Sequence, residues 1–302
     1  MGLKPSMINY RNTHIIPFSF NYYEPASLRE ALEILSELGG SARILAGGTD
    51  LLVKMKTRQV EPKAVVNIKR IRELKGITVE DGRVRIKALT TLREIEESPI
   101  VAKYIPALRD AVKQMASIQV RSMATIGGNL CNASPAADTA PPLLVHNASV
   151  KIVGLNRERT VPLASFFKGP GSTVLEPGEI LAEVIVEAEP GSSAFMKIGR
   201  VAVDLAVASA AVYVELNGDI VEEARIAAGA VAPTPIRCPV AEGALKGRRL
   251  SEVGLNVFKP IEGEVKPISD ARASAEYRRH LVRILAHDAF WRAVEALKRD
   301  AE

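Results

Sequence analysis

Cysteine is nearly missing from this chain: among 302 residues only Cys131 and Cys238 carry a thiol, far apart in the sequence. The full thiolate set of an iron–sulfur cluster or a structural zinc site is therefore not supplied by this chain. A disulfide is not expected in a reducing compartment either. The four histidines, His14, His146, His280 and His287, show no ligand spacing such as H-x-x-x-H, which leaves them as surface or packing residues. Aromatic residues are only 5% of the chain, too few for a row of base-stacking platforms. No apolar run reaches the roughly 18 residues needed to span a bilayer, and the N-terminus lacks the basic and apolar regions of a signal peptide; the cytoplasm is the expected location, with no transmembrane segment. The common nucleotide fingerprints G-x-G-x-x-G and G-x-x-x-x-G-K-[ST] are also missing.

What remains is an ordinary globular composition, 47% hydrophobic and 25% charged, long enough for two or three domains. Lys and Arg exceed Asp and Glu by five, but the basic residues are interspersed with acidic ones. Stretches such as Lys69 to Lys75 read as solvated faces, so nucleic acid is not an expected partner.

Two glycine-bearing loops stand out. The first is Ala46-Gly47-Gly48-Thr49-Asp50-Leu51-Leu52; the second is Thr125-Ile126-Gly127-Gly128-Asn129, trailed by Asn132, Ser134 and Asp138. A Gly-Gly pair removes two Cβ atoms, so backbone N–H groups can approach phosphate oxygens. The first loop follows the short apolar run Arg43-Ile44-Leu45-Ala46 and precedes Asp50 to Met55, a strand, turn and helix start that suits a dinucleotide phosphate. Either loop taken alone reads first as an ordinary tight turn; the two together, each after an apolar segment and before Thr or Asn and an acidic residue, read equally as a ligand site. On the phosphate reading, Gly48→Val or Gly128→Val fills the approach and abolishes binding.

Ser27-Leu28-Arg29-Glu30 is a capping box, followed at helical spacing by Leu28, Ala31, Leu32, Leu35 and Leu38 until Gly39-Gly40. A strand at Ala64 to Ile68 opens a second unit, with a hairpin candidate at Ile77 to Ile86 around Asp81-Gly82. Thr91 to Glu94 is a further capping box, and a helix over Ile105 to Met115 leads to the second glycine loop. Strands are expected at Ala148 to Val153 and Ile180 to Val186, between the breaks Pro177-Gly178 and Pro190-Gly191. Val212 to Leu216 and Ala224 to Ala230 form a hairpin around Asn217-Gly218. Ser274 to Lys298 is helical, with Leu281, Ile284, Leu285 and Ala289 on one face and Arg279 and Arg283 on the other.

The stretch Pro17-Phe18 through Pro25-Ala26-Ser27-Leu28, the AGGTDLL loop, the block Ile118 to Asn129 and the trailing Ala133 to Asp138 together resemble the FAD-binding medium subunit of molybdenum hydroxylases. That family includes aerobic carbon monoxide dehydrogenases, aldehyde oxidoreductases, 4-hydroxybenzoyl-CoA reductase and the flavin domain of xanthine dehydrogenase. The resemblance implies an α+β fold: a two-subdomain FAD-binding module of the vanillyl-alcohol-oxidase (PCMH) type, followed by a C-terminal domain with a three-stranded antiparallel sheet and a small helical bundle. The expected divisions are an N-terminal extension over 1–16, subdomain 1 over 17–62, subdomain 2 over 63–188 and the C-terminal domain over 189–302.

It further implies FAD contacts from Ile44, Leu45, Ala46, Gly47, Gly48, Thr49, Asp50 and Leu51 in the first loop, and from Ala124, Thr125, Ile126, Gly127, Gly128, Asn129, Asn132 and Ser134 in the second. Met115, Asp138, Leu181, Lys197 and Leu205 complete the set, Met115 near the adenine and Asp138 and Lys197 at the flavin. A cation beside the flavin favours negative charge on the ring. Where the carbon monoxide enzymes resemble Asp-Tyr-Ala and lay a tyrosine on the flavin, this chain has Asp204-Leu205-Ala206, an aliphatic cover as in the xanthine dehydrogenase branch. Read without the resemblance, Asp138 is a loop carboxylate, Lys197 a strand-end surface lysine, and Leu205 and Met115 core residues. The two-cysteine count excludes the extra cluster of the 4-hydroxybenzoyl-CoA reductase subunit.

The function implied is electron transfer. A partner carrying the molybdenum cofactor oxidises substrate, iron–sulfur clusters on a small partner subunit pass the electrons on, and FAD on this chain delivers them to a small molecule or redox protein. No catalytic side chain and no metal ligand set is expected here. A stand-alone FAD-dependent reductase and a flavin-less scaffold are the alternatives.

Overall fold

A computed structural model describes residues 16–301; the expected N-terminal extension, with His14, lies almost wholly outside the described residues. Among the described residues three main sheets follow one another along the chain, with a two-stranded ribbon as a fourth. The first is built from β1 (Asn21–Tyr23), α1 (Leu28–Leu38), β2 (Ala42–Leu45), α2 (Leu51–Lys56) and β3 (Ala64–Asn67). Both β1 and β2 run parallel to the central β3, as strands joined through helical crossovers must. The strand expected to open the second unit is thus the centre of the first sheet. Ser27 Oγ accepts from the Glu30 N–H at 3.2 Å, but the Glu30 carboxylate accepts from Ala26 N rather than Ser27 N, so the capping box closes one residue early. The helix buries Leu32 and Leu35, each of which contributes roughly 1.5–3 kcal/mol, and ends at Gly39, whose φ of 53° suits glycine.

The second sheet is antiparallel, with β4 (Ile77–Glu80) and β5 (Arg83–Lys87) joined by the turn Asp81-Gly82, both residues at positive φ. Six short helices intervene: α3 (Leu92–Glu97), α4 (Pro99–Tyr104), α5 (Pro106–Lys113), α6 (Ile118–Arg121), α7 (Ile126–Asn132) and α8 (Ala140–Val145). A complete capping box at Thr91 and Glu94 starts α3. The chain then returns through β6 (Ser149–Gly154) and β7 (Arg157–Pro162), a small ribbon of β8 (Phe167–Gly169) and β9 (Ser172–Thr173), and β10 (Ile180–Glu187), giving the order β4-β5-β10-β6-β7. One face of this sheet packs on the helices through Val84, Ile86, Val150, Ile152, Val184 and Val186. At the other face, Ile180 and Ala182 join the core beneath α1 and the first sheet. The second sheet is thereby wedged between both units.

The third sheet has three long antiparallel strands, β11 (Ser192–Ile198), β12 (Ala208–Asn217) and β13 (Ile220–Gly229), with a two-residue edge strand β14 (Ile236–Arg237). Asn217 pairs with Ile220, so the hairpin turns at Gly218-Asp219, one residue later than expected. The short helices α9 (Pro239–Leu245) and α10 (Ile261–Glu264) and the long α11 (Ala275–Ala301) cover it. Arg283, expected on the solvent face of α11, instead donates to Glu262 at 3.1 Å and Asn256 at 3.0 Å, because α11 packs on the sheet along one side and on the short helices along another.

Arg278, only 1% exposed, had no signal in the sequence. It donates to the Val207 carbonyl at 2.6 Å, the Ala230 carbonyl at 3.2 Å and the Asp270 carboxylate at 2.6 Å. Ala230 N in turn donates to Pro135 O at 2.8 Å, and that bond ties this buried cluster to the segment that leads into Asp138. No helix among the described residues is long and apolar enough to cross a membrane.

Candidate FAD site

The two glycine loops cross. A Cβ at Gly47 would lie 2.1 Å from the Met123 carbonyl oxygen and 2.9 Å from Ala124 Cα, and one at Gly127 would lie 2.8 Å from the Ala88 carbonyl oxygen. At both positions the neighbouring chain leaves no room for a Cβ. Gly48 holds φ at 82°, and a Cβ there would press on Leu45 and Leu52; one at Gly128 would meet Thr125 Oγ1 at 2.9 Å. A side chain at either position therefore also collides with the loop's own supports.

The loops differ in what they offer a ligand. In the second, the N–H groups of Ile126, Gly127, Gly128 and Asn129 donate to Thr90 O, Ala88 O, Thr125 Oγ1 and Thr125 O. In the first, the N–H groups of Gly47, Gly48, Thr49 and Asp50 find no acceptor among the described residues. Amides left unpaired by the protein are available to a ligand's acceptor oxygens, and these border a cleft of about 610 Å³. The second loop is a braced platform: Arg121, buried, donates to Glu96 at 3.0 Å and to the Met115 and Ala116 carbonyls at 2.8 and 2.9 Å. That anchor gives the Ile118 to Asn129 block its physical reason.

Of the expected site residues, Ile44, Ala46, Gly47, Gly48, Thr49, Asp50, Leu51, Ala124, Thr125, Gly127, Gly128, Asn129, Asn132 and Leu181 line this one cleft. Leu45 and Ile126 lie beneath it in the core. Met115, partly buried, packs against the core of the second unit. Ser134 Oγ accepts from Ala136 N and shapes the turn before Asp138.

Asp138 and Lys197 are brought together from the second unit and β11 as an ion pair at 2.6 Å, both side chains only 6% exposed. Lys197 is therefore not the surface lysine that its strand-end position suggests. Burial pushes the Asp138 carboxyl upward against the pull of the Lys197 ammonium, and Asp138 Oδ1 is buried without a partner among the described residues. Thr139, the next residue, donates to Asn129 Oδ1 at 2.6 Å, which links the pair to the cleft wall. Leu205 is 57% exposed rather than core. It sits on a hook closed at its base by Val207 N donating to Ile198 O and braced by Arg200 and Asp204.

Three parts of the cleft escaped sequence reasoning. Gly171 to Thr173 and Glu176 to Ile180 form a wall; Pro177-Gly178 read as a domain break, yet Gly178 packs against α1. Glu179 in that wall is pinned by Arg159 at 2.8 Å and Arg157 at 3.1 Å. Arg43 and Lys54 also line the cleft. Lys54 carried a signal, since it follows Leu51 by three positions and shares its helix face.

Two family models match the chain: the FAD binding domain in molybdopterin dehydrogenase over residues 18–187 and the CO dehydrogenase flavoprotein C-terminal domain over 193–293. The putative xanthine dehydrogenase FAD-binding subunit of Escherichia coli is 36% identical, covering 91% of this chain and 96% of its own length. The carbon monoxide dehydrogenase medium chain of Hydrogenophaga pseudoflava is 35% identical over 87% of this chain and 93% of its own. Among solved structures, a Cu,Mo-CO dehydrogenase chain superposes with a TM-score of 0.89 at 34% identity, covering 92% of this chain and 99% of that one. The braced second loop, the open first loop and these matches over nearly the whole length agree, and the chain belongs to the FAD-binding medium-subunit family of molybdenum hydroxylases.

Proposed function

We propose that this chain is the FAD-carrying electron-transfer subunit of a heteromeric molybdenum hydroxylase, with a small iron–sulfur subunit and a large molybdenum-cofactor subunit as partners and a cytoplasmic location. The observation that carries the reading is the row of unpaired N–H groups at Gly47, Gly48, Thr49 and Asp50 beside a cleft shared by both glycine loops. Such a row suits a pyrophosphate, whose oxygens accept only. When bound, FAD supplies the exchange between one-electron donors and an acceptor of one or two electrons.

The chain's own residues position and polarise. Gly47 to Asp50 would hold the diphosphate, with Asn129 and Asn132 on the opposite loop offering side-chain amides. The Asp138–Lys197 pair would present fixed charge near the flavin in a site where water is scarce. Leu205, exposed on its hook, would cover one flavin face with an aliphatic group and keep water from it. No side chain of this chain has to act as nucleophile or proton carrier. Xanthine dehydrogenase and carbon monoxide dehydrogenase are the activities of relatives; the substrate of this chain's complex would be chosen on the molybdenum subunit.

The purified chain, scanned in the near-ultraviolet and blue before and after incubation with FAD and desalting, should retain one flavin per chain. Retention together with co-purification of the two partners supports the whole reading. Retention with rapid pyridine-nucleotide oxidation and no partners marks a stand-alone reductase. A flat spectrum, alone and with partners, marks a scaffold that has lost its flavin.

A further inference from the structure

Backbone amides solvate a pyrophosphate but do not neutralise it, since they are dipoles without net charge. Among the basic residues of the cleft, Arg43 is committed to the Gly40 and Ala42 carbonyls at 3.0 and 2.9 Å. Lys54 is not so committed. It lines the cleft, pairs with no carboxylate among the described residues, and donates to Asn132 Oδ1 at 2.6 Å. Asn132 Nδ2 donates in turn to Asp50 Oδ1 at 3.2 Å. Asn132 thus holds the ammonium across the gap between the two glycine loops.

Side chains of an α-helix lean toward its N-terminal end. Lys54 sits one turn into α2 on the same face as Leu51, so its stem runs back toward Gly47 to Asp50, where the free amides are. On the FAD reading above, we propose that Lys54 is the counter-charge of the FAD pyrophosphate, an ammonium fixed by Asn132 beside the first glycine loop. Its charge adds to the amides what they lack, and a neutral amide partner leaves that charge available. A carboxylate partner would have cancelled it.

The test is FAD titration of the flavin-free full chain, followed by quenching of flavin fluorescence, at several sodium chloride concentrations. Lys54→Met keeps the stem and removes the charge. It should weaken FAD by roughly ten- to hundredfold at low salt, the scale of one charge-assisted hydrogen bond, and flatten the salt dependence, because screening acts on the interaction that was lost. Lys54→Arg should stay within a few-fold of wild type with the salt dependence kept. Equal affinity and equal salt slope in wild type and Lys54→Met overturn the role of Lys54 and leave the FAD reading standing. Failure of the wild-type chain to bind FAD, alone and with its partners, overturns both.

Discussion

Gly47→Ala is the most incisive perturbation of this fold, because the added atom meets backbone and has nowhere to move. Its Cβ would lie 2.1 Å from the Met123 carbonyl oxygen, whereas ordinary contact begins at 3.4 Å. The two loops would therefore have to part by about 1.3 Å. Overpacking of this kind costs roughly 1–3 kcal/mol where side chains can adjust, and the upper end applies where backbone is displaced. The second loop resists displacement, since Arg121 and the bonds from Ile126 N and Gly127 N lock it in place. Gly82→Ala is the control: Gly82 has φ 71° in the β4-β5 turn and nothing within 4 Å, so it should lose only the left-handed strain of about 1 kcal/mol. Denaturant unfolding gives the stability change and FAD titration the change in affinity. Gly47→Ala should lose more stability than Gly82→Ala and also weaken FAD at least tenfold, because parting the loops spreads the residues that face the ligand. A Gly47→Ala protein with wild-type affinity and a loss no larger than the control would refute the loop-crossing argument.

Three further outcomes follow from buried groups. Asp138→Asn strands the Lys197 ammonium in a site where it is 6% exposed and should cost roughly 3–5 kcal/mol; a double-mutant cycle with Lys197→Met should recover much of that loss, and strict additivity would show the pair to be uncoupled. His146 is buried against Ser193, Tyr213, Arg225 and Glu189, and burial, aided by Arg225, brings it down from 6.5 to about 3. The folded-state pKa is the lower one, so unfolding takes up a proton: stability is complete above about pH 6.5 and falls toward pH 3, by up to roughly 5 kcal/mol. His146→Gln should show a shallower loss between pH 6.5 and 4.5 in denaturant melts, and an unchanged slope would exclude His146 as its source. Burial raises the Cys238 thiol, so at pH 8 iodoacetamide should leave Cys238 unlabelled in the native protein and label it after denaturation. Rapid native labelling of Cys238 would contradict that burial.

Local order was legible in the residues themselves. The capping signals at Ser27 and Thr91, the Asp81-Gly82 turn and the strand before AGGTDLL depend on neighbours a few positions away, and their chemistry is the same in any chain. The block around Arg121 marked the second loop, and the family resemblance followed from it. Tertiary structure decided the rest, because it sets which surfaces meet. It placed the Ala64–Asn67 strand at the centre of the first sheet, where a parallel neighbour stands on each side. It gave Gly47 and Gly127 a packing reason for lacking a Cβ, which needs Met123 and Ala88 in position. It buried Lys197 against Asp138, 59 residues earlier in the chain, while exposing Leu205. Periodicity sees only the spacing along one element, whereas a contact such as Lys54 to Asn132 depends on how two elements pack against each other.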